Sequence, residues 1–437
     1  MFSSRRNFLG GAGLVGLAAA TPTAAAPAVS ASRTEDAAWL QARLERYNDF
    51  GIKASGGPGD VACGAWLEEE LRGWGYSCRR QAFEVPYFEV RQAALSSGEA
   101  QAPQAQAPVI PQAIVAPTGA QGLTAPLRLA SDRGDISGAI AVIVLPFKRW
   151  AALADPQAAR PLADAFSRGA AAAVLVTTGP TGEAIALNVS THKPAYERPV
   201  AILAPKDAQP FLAAAREGRA GTLIVDGQAG RRSAFNVIAR LDRNAPRTVI
   251  LSTPRSGWFT CAAERGSGLA VWLWLARRLS QTNRGVNVEL LATSGHEYEY
   301  LGGEYYLAQA PAPSATALWV HVGASAAARD WHEMGPVLRP LPSADSQRIL
   351  TATADVVTPV RAAFRGIPGL EATYVADQTT AGGELINVLN AGYTRMIGLY
   401  GGHRYFHTRD DDMRCVSADL VQPVAAAFEA AVEGLLA

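Results

Sequence analysis

Apolar side chains along the first part of the chain recur at the spacing of a helix and then at that of a strand. Residues 34–50 and 61–75 have apolar positions at helical spacing, and residues 77–95 alternate as a strand does. The next segment, 96–112, is rich in Pro, Gln and Ala, which predicts a loop or linker. The pattern therefore predicts two helices, a strand and a linker.

Short apolar segments then alternate with helical segments in two blocks. Residues 119–230 contain buried-type strands separated by helices, and they look like a self-contained unit. A new alternation begins at residue 234 and continues to a closing helix at 420–437. Strands that alternate with helices predict an α/β fold with a largely parallel sheet covered on both faces.

Composition narrows the class of protein without identifying it. The 437 residues suffice for about two or three domains. A hydrophobic fraction of 49% with 18% charged residues excludes global disorder. The 40 basic residues are balanced by 39 acidic ones, so nothing suggests a nucleic-acid partner. A mean hydropathy of +0.04 is too polar for a protein with many membrane spans.

The extreme N-terminus has the features of an export signal. Ser-Arg-Arg-Asn-Phe-Leu at 4–9 precedes a short stretch rich in Gly, Ala and Leu. We interpret residues 1–31 as a twin-arginine signal peptide, which predicts a periplasmic or secreted protein. The apolar stretch is short and rich in small residues, so no stable membrane anchor is expected.

The cysteines leave two readings open. The four are Cys63, Cys78, Cys261 and Cys415. They form no Cys-x-x-Cys pair, which argues against a zinc ribbon or a thioredoxin-like motif. An even number in an oxidising compartment permits disulfides, but folding before export equally permits buried free thiols.

Several short motifs follow one another in a characteristic order. They are Arg-Gly-Asp-Ile-Ser-Gly at 133–138, Arg-Gly-Ala-Ala-Ala at 168–172, Arg-Pro-Val at 198–200, Asn-Val-Ile-Ala at 236–239, Ser-Gly-Leu-Ala at 267–270, Gly-His-Glu at 295–297, Leu-Gly-Gly at 301–303 and Phe-His-Thr at 406–408. In this order they resemble the co-catalytic zinc exopeptidases of the bacterial aminopeptidase and glutamate carboxypeptidase type.

The resemblance implies an architecture as well as a chemistry. It implies a mixed, mostly parallel sheet flanked by helices, with residues 32–118 and 231–437 forming the two parts of an exopeptidase-like domain. Residues 119–230 resemble the protease-associated α/β domain that many members carry as an insertion.

The same resemblance implies a metal site from which this sequence departs. The family holds two zinc ions with His, a bridging Asp, Glu, Asp and His, and a Glu next to the ligand Glu acts as general base. The corresponding positions, including the Asp that neighbours the first His, hold Thr253, Arg255, Glu264, His296, Glu297, Gly323 and His407. Only Glu297 and His407 keep the family's residue type. An arginine among so few carboxylates argues against ordinary two-zinc catalysis.

One hypothesis is a hydrolase with a rebuilt site. His296 and Glu297 would be catalytic, and a single zinc ion, if any, would be held by Glu297, His407 and His321. His321 lies two residues before Gly323, so on a strand it points to the same face. The cofactor expected from the sequence is therefore either none or one zinc ion.

The other hypothesis is a binding protein without normal peptidase activity. Arg255, flanked by Glu264 and Glu297, would fill the metal vacancy as an ion pair or would bind a ligand carboxylate. Glu264 and Tyr405 complete the predicted ligand-binding residues, since aromatic side chains are dense in this region. The expected partner is a peptide or a small ligand with an amide group. A structural subunit of a periplasmic assembly is a third reading.

Overall fold

The computed structural model describes residues 28–99, 102–112, 114, 116–189, 196–282, 285–335 and 337–437. Most of the predicted signal peptide, residues 1–27, lies outside the described residues. The helices are α1 (Ala28–Asp49), α2 (Pro58–Gly73), α3 (Pro156–Ser167), α4 (Gln209–Glu217), α5 (Gly266–Gln281), α6 (Leu301–Leu307), α7 (Val357–Ala363), α8 (Leu385–Asn390) and α9 (Ala418–Leu436).

The strands follow in chain order. They are β1 (Ser77–Glu99), β2 (Ala102–Pro111), β3 (Leu123–Leu129), β4 (Ile140–Val144), β5 (Ala172–Val176), β6 (Val200–Leu203), β7 (Ala220–Leu241), β8 (Thr248–Pro254), β9 (Asn287–Thr293), β10 (Thr316–Val322), β11 (Arg329–Met334), β12 (Val337–Ala344), β13 (Arg348–Ala352), β14 (Thr373–Val375) and β15 (Met396–Gly401). All but β11 and β12, which pair with each other, belong to one sheet of 13 strands.

The central part of the sheet has the predicted α/β character. β9, β8, β10 and β15 run parallel in that order, and each is buried over most of its length. α1, α5 and α9 pack together on one face, and α5 is almost wholly buried beneath the others. α6 and α8 contribute apolar side chains to a core cluster on the other face. The prediction of a mixed, mostly parallel sheet flanked by helices is confirmed.

Other strands of the sheet pair in a closed ring. β1 pairs with β2, and the pairings continue through β6, β5, β4 and β3 to β7, which returns to β1. This ring forms a barrel on which α3 and α4 pack. β1 and β7 are long enough to belong to both the barrel and the central sheet, since β7 pairs with β3 at one end and with β9 at the other.

Two predictions about this region are wrong. Residues 96–112 are not a linker, because they form the end of β1 and the whole of β2. β2 pairs with β1 up to Pro108 and with β6 only from Val109, so its prolines face a partner on one side only. The alternation at residue 234 likewise begins no new strand, since β7 runs unbroken from Ala220 to Leu241.

The structure also shows the state of the cysteines and the polarity of the helices. All four cysteines are free thiols, and burial raises the pKa of Cys63 and of Cys261 to about 12. Over the part of the chain that the structure describes, no helix has both the length and the apolar character needed to cross a membrane.

Candidate functional site

The candidate site lies where the parallel strands end. Glu264 follows β8, His296 follows β9, His321 is near the end of β10, and His407 follows β15. Carboxyl ends of parallel strands meet at one edge of a sheet, which is the usual position for a site in this fold class. A cavity of about 670 Å³ opens there, and its lining includes His296, Tyr300, His321, Arg348, Tyr400 and Phe406. The barrel contributes Arg149, Ala151 and Asn188 to the same cavity.

Three charged or titratable side chains beside this cavity form a closed group, here called the ion-pair cluster: Glu264, Arg265 and His407. Nη2 of Arg265 lies 2.7 Å from Oε1 of Glu264, and Nε2 of His407 lies 3.2 Å from the same oxygen. All three are at most 1% exposed. Burial opposes the charge of Glu264, but Arg265 and His407 outweigh it and hold the pKa of Glu264 well below its usual range.

Backbone contacts fix the ion-pair cluster in place. The Asp411 carboxylate accepts hydrogen bonds of 2.9 Å from the N–H groups of Ala263 and Glu264. His407 has a positive φ of 57°, and it exchanges two hydrogen bonds with Ala186. In one of them Nδ1 of His407 donates to the Ala186 carbonyl, so its Nε2 faces Glu264. The barrel thus holds the last member of the cluster.

Both carboxylate oxygens of Glu297 accept hydrogen bonds from within the protein, and the side chain does not line the cavity. Its Oε1 accepts from the N–H of Ser55 at 2.7 Å, and its Oε2 accepts from the hydroxyl of Ser256 at 2.8 Å. The Ser55 hydroxyl accepts from the N–H of Gly295 and donates to Ser256. Burial raises the pKa of Glu297. The side chain therefore holds the turn at His296 against the segment that precedes α2.

Arg255 has a different partner from the one expected. Its Nε lies 3.0 Å from Oδ1 of Asp60 on α2, and both side chains are fully buried. Its other nitrogens donate to the carbonyls of Ala292 and Phe235. The expectation that Arg255 is flanked by Glu264 and Glu297 and binds a ligand is corrected, because the fully buried guanidinium pairs with Asp60, donates to two backbone carbonyls and does not line the cavity.

His296 forms a pair with an acid from a distant loop. Its Nδ1 lies 3.3 Å from Oε1 of Glu384, the same oxygen that accepts a 2.7 Å hydrogen bond from the hydroxyl of Thr293. Burial lowers the pKa of His296 well below its ordinary value and raises that of Glu384. His296 remains part of the cavity wall, and the ring of Tyr300 packs edge-on against it.

His321 is held by a chain of hydrogen bonds along the sheet. Its Nδ1 lies 2.9 Å from the hydroxyl oxygen of Ser252, which also accepts a 2.9 Å hydrogen bond from the indole N–H of Trp319. Burial lowers the pKa of His321 to about 4, so the ring is neutral near pH 7. A side chain at Gly323 would place its Cβ 3.2 Å from Nε2 of His321, so the glycine leaves that nitrogen uncrowded.

Tyr405 does not line the cavity. It is 7% exposed and packs edge-on against Trp331, with ring centroids 5.1 Å apart. The expectation that it binds a ligand is therefore corrected, because its ring belongs to the core beneath β11.

The predicted metal ligands do not make a zinc site as they are arranged. The carboxylate of Glu264 contacts a guanidinium, both oxygens of Glu297 accept hydrogen bonds, and Thr253 donates to the carbonyl of Val322. Gly323 has no donor atom to offer. Zinc requires several convergent, electron-pair-donating ligands, and a guanidinium offers only donor hydrogens. These residues therefore do not fit the group that their fold implies.

Another set of buried side chains has the composition of a metal site. Ligand atoms of His403, Asp411 and Cys415 lie within 4.8 Å of one another. Asp411 already accepts the two N–H groups of the loop before α5, and burial raises the pKa of the Cys415 thiol well above its usual range. The arrangement is explained by its role in holding that loop.

Known proteins are similar to this chain in fold. No protein-family model matches the sequence, and no curated protein matches it. Solved structures of aminopeptidases do share the fold. The similarity is below 20% identity and concerns the fold alone.

Three of these structures show how much of the chain is covered. A zinc aminopeptidase from Bacillus subtilis superposes with a TM-score of 0.70 at 18% identity, over 91% of this chain and 94% of that one. An aminopeptidase from Aneurinibacillus sp. strain AM-1 has a TM-score of 0.64 at 17% identity, over 92% and 94%. A peptidase M28 precursor from Shewanella amazonensis has a TM-score of 0.64 at 17% identity, over 93% and 95%. The likeness therefore spans both the barrel and the central sheet.

Sequence reasoning brought the right segments together but missed several partners. Glu384 follows two glycines, and neither it nor Asp60 nor Ser252 belongs to a motif of the sequence analysis. Asp60 follows a Gly-rich turn and looks like a helix-start residue. Nothing local in the sequence marks Ser252, whose role depends on the neighbouring strand β10.

Proposed function

We propose that the protein binds peptides or other amide ligands in the cavity and does not cleave them by two-zinc catalysis. The position of Arg265 is the observation that carries this proposal. Its guanidinium provides, within the chain itself, the positive charge that a metal ion would otherwise supply to Glu264 and its surroundings. A buried carboxylate paired in this way has little affinity for a divalent cation, because binding would bring two positive charges together.

The size and lining of the cavity support a small organic ligand. A volume of about 670 Å³ is in the ordinary range for ligand pockets. Aromatic rings and a few polar groups line it, which suits a peptide side chain together with its backbone. We propose that residues 119–230, which form most of the barrel, are a protease-associated domain that contributes Arg149 and Asn188 to the cavity.

Four measurements test the proposal. Metal content is determined by mass spectrometry, and zinc binding is measured by calorimetry. Hydrolysis of aminoacyl 4-nitroanilides is followed with and without added zinc, and binding of N-acetyl-phenylalanine N′-methylamide is measured separately. We expect no stoichiometric zinc, no zinc-dependent cleavage, and saturable binding of the amide. One or more equivalents of zinc whose removal abolishes cleavage would overturn the proposal.

A second candidate is a metal-free hydrolase. The pairing of His296 with Glu384 favours it, since a histidine oriented by a carboxylate is the usual form of a general base. In this reading His296 takes a proton from water as the water attacks an amide carbonyl. Peptides incubated with the protein and with the His296→Gln variant, analysed by mass spectrometry, distinguish the candidates. Cleavage that the variant loses supports the hydrolase.

We also propose export by the twin-arginine route, on the strength of Arg5 and Arg6. Fusion of residues 1–31 to a reporter that is active only when exported in the folded state tests it. Export should stop when both arginines are replaced by lysine, and export that persists would contradict the proposal.

A further inference from the structure

The two histidines in the cavity wall have opposite hydrogen-bonding roles. A neutral imidazole has one nitrogen that donates and one that accepts, and the partner of the inward nitrogen decides which faces outward. In His296 and in His321 alike, Nδ1 is bonded inside the protein, and both rings line the cavity. The character of each remaining nitrogen, Nε2, follows from these inner partners.

For His321 the inner partner is a donor. The indole N–H of Trp319 can only donate, so the Ser252 oxygen accepts from it. The hydroxyl hydrogen of Ser252 is then available to Nδ1 of His321, 2.9 Å away. If Nδ1 donated instead, the hydroxyl hydrogen of Ser252 would lack an acceptor among the described residues. We therefore assign Nδ1 as the acceptor and the ring proton to Nε2. His321 therefore offers an N–H donor to the cavity.

For His296 the inner partner is an acceptor. Oε1 of Glu384 already accepts the hydroxyl hydrogen of Thr293 at 2.7 Å, and it lies 3.3 Å from Nδ1 of His296. Nδ1 is then the nitrogen that carries the proton, and Nε2 is left with a lone pair. His296 therefore offers an acceptor to the cavity.

The two groups lie on either side of one strand. β8 pairs with β9 on one side and with β10 on the other, so the turn that carries His296 and the strand end that carries His321 flank the end of β8. Neighbouring strands are about 4.8 Å apart, so the strands that flank β8 are about 10 Å apart. A ligand group lying across the end of β8 has the donor on one side and the acceptor on the other.

We propose that His321 and His296 together recognise a single amide of the ligand, with His321 donating to its carbonyl oxygen and His296 accepting from its N–H. This assignment rests on the proposed function and specifies how the ligand is recognised. An amide offers both an acceptor and a donor, whereas an ester offers no donor and a carboxylate offers only acceptors. The wall thus selects amides over esters of the same shape.

Replacing one N–H by oxygen tests the assignment without changing the protein. The probes are N-acetyl-phenylalanine N′-methylamide and its two ester analogues, in each of which one amide N–H is replaced by oxygen. Calorimetry gives their dissociation constants with the full-length protein. We expect one analogue to bind about tenfold more weakly than the amide, because the lone pair of His296 is left without a donor. The other analogue should bind as the amide does.

Variants of the two histidines separate their roles. His296→Leu should lower the affinity for the amide to that for the weaker ester, so the difference in affinity between those two probes disappears. His321→Leu should lower the affinity for all three probes and keep that difference, because each probe has the carbonyl oxygen to which His321 donates. Ser252→Ala keeps the cavity wall intact and removes only the hydrogen that sets the tautomer of His321. It should weaken all probes by a smaller factor.

The outcomes distinguish this assignment from the proposed function. If none of the three probes binds to the wild-type protein, the proposed function fails. If all three bind equally well, the protein binds such ligands but the pairing of His321 and His296 with one amide is wrong. Because the comparison of probes needs only the wild-type protein, it holds even if a histidine variant fails to fold.

Discussion

The ion-pair cluster and the histidine wall of the cavity lie side by side but use their polar groups in opposite ways. In the cluster, Arg265 and His407 both lie within ion-pair distance of the same carboxylate oxygen of Glu264, and all three side chains are buried. In the wall, His296 and His321 each bond inward with one nitrogen and line the cavity with the rest of the ring. The comparison teaches that the buried charges of the cluster hold the structure together, whereas the neutral hydrogen-bonding groups of the cavity wall are available to a ligand.

The largest expected effect comes from removing the cation of the cluster. Arg265→Met leaves Glu264 buried with only His407 beside it, so we expect a loss of about 3–5 kcal/mol in the free energy of unfolding. Urea unfolding followed by tryptophan fluorescence measures it. Arg216→Met, on the exposed side of α4, is the matched control and should cost less than about 0.5 kcal/mol. Equal effects of the two substitutions would contradict the role of the cluster.

Removing both charges should restore much of that loss. In the double variant Glu264→Leu with Arg265→Met, no uncompensated carboxylate remains, and apolar replacements of a buried pair are often close to neutral. We expect the double variant to be more stable than Arg265→Met alone by about 2 kcal/mol. A double-mutant cycle in urea gives the coupling energy. Strict additivity of the two single effects would show that Glu264 and Arg265 do not stabilise each other.

A smaller effect is expected where the cluster is attached to the backbone. Asp411→Asn puts an amide NH₂ group opposite one of the N–H groups of Ala263 and Glu264, and a lost buried hydrogen bond costs about 1–3 kcal/mol. Thermal unfolding measures it. Asp410→Asn is the control, because that carboxylate is 45% exposed and lies 3.9 Å from Arg414. A result in which both substitutions cost the same would remove the anchoring role of Asp411.

The smallest effect on stability is expected in the wall. His296→Leu removes a ring whose pair with Glu384 is long, and Thr293 still donates to that carboxyl group. We expect a loss below about 1 kcal/mol, although the same change abolishes the preference for the amide probe. Urea unfolding under the conditions used for Arg265→Met allows direct comparison. A loss as large as that of Arg265→Met would erase the distinction between the two regions.

The sequence was a good guide to the segments of the site and a poor one to the directions of its side chains. Motif order placed Glu264, His296 and His407 at neighbouring strand ends, where the structure has them. Arg255 was misplaced because its partner, Asp60, comes from a helix nearly two hundred residues earlier. A residue just beyond a strand can point to either side of the sheet, and only the packing of α2 decides which.

The same limit applies to the fold. Alternation of strands and helices predicted the central sheet, because each strand there is buried on both faces and reads as an apolar run. It failed for β2, which is rich in proline and forms a hairpin with β1, and for the middle of β7, which is polar and pairs with the distant strand β1. The strand conformation of these segments is determined by the strands that pair with them.

The unbroken length of β1 and β7 has a mechanical consequence. The two strands pair from Ser77 with Arg240 to Ser97 with Gly221, with one register shift near Val90. Such a ribbon acts as a stiff beam shared by the barrel and the central sheet, and the hydrogen bonds between Ala186 and His407 fasten the barrel at a second point. Swinging the barrel away would break both connections. For the proposed ligand, the cavity therefore has a nearly fixed width, and its dimensions limit the size of what it admits.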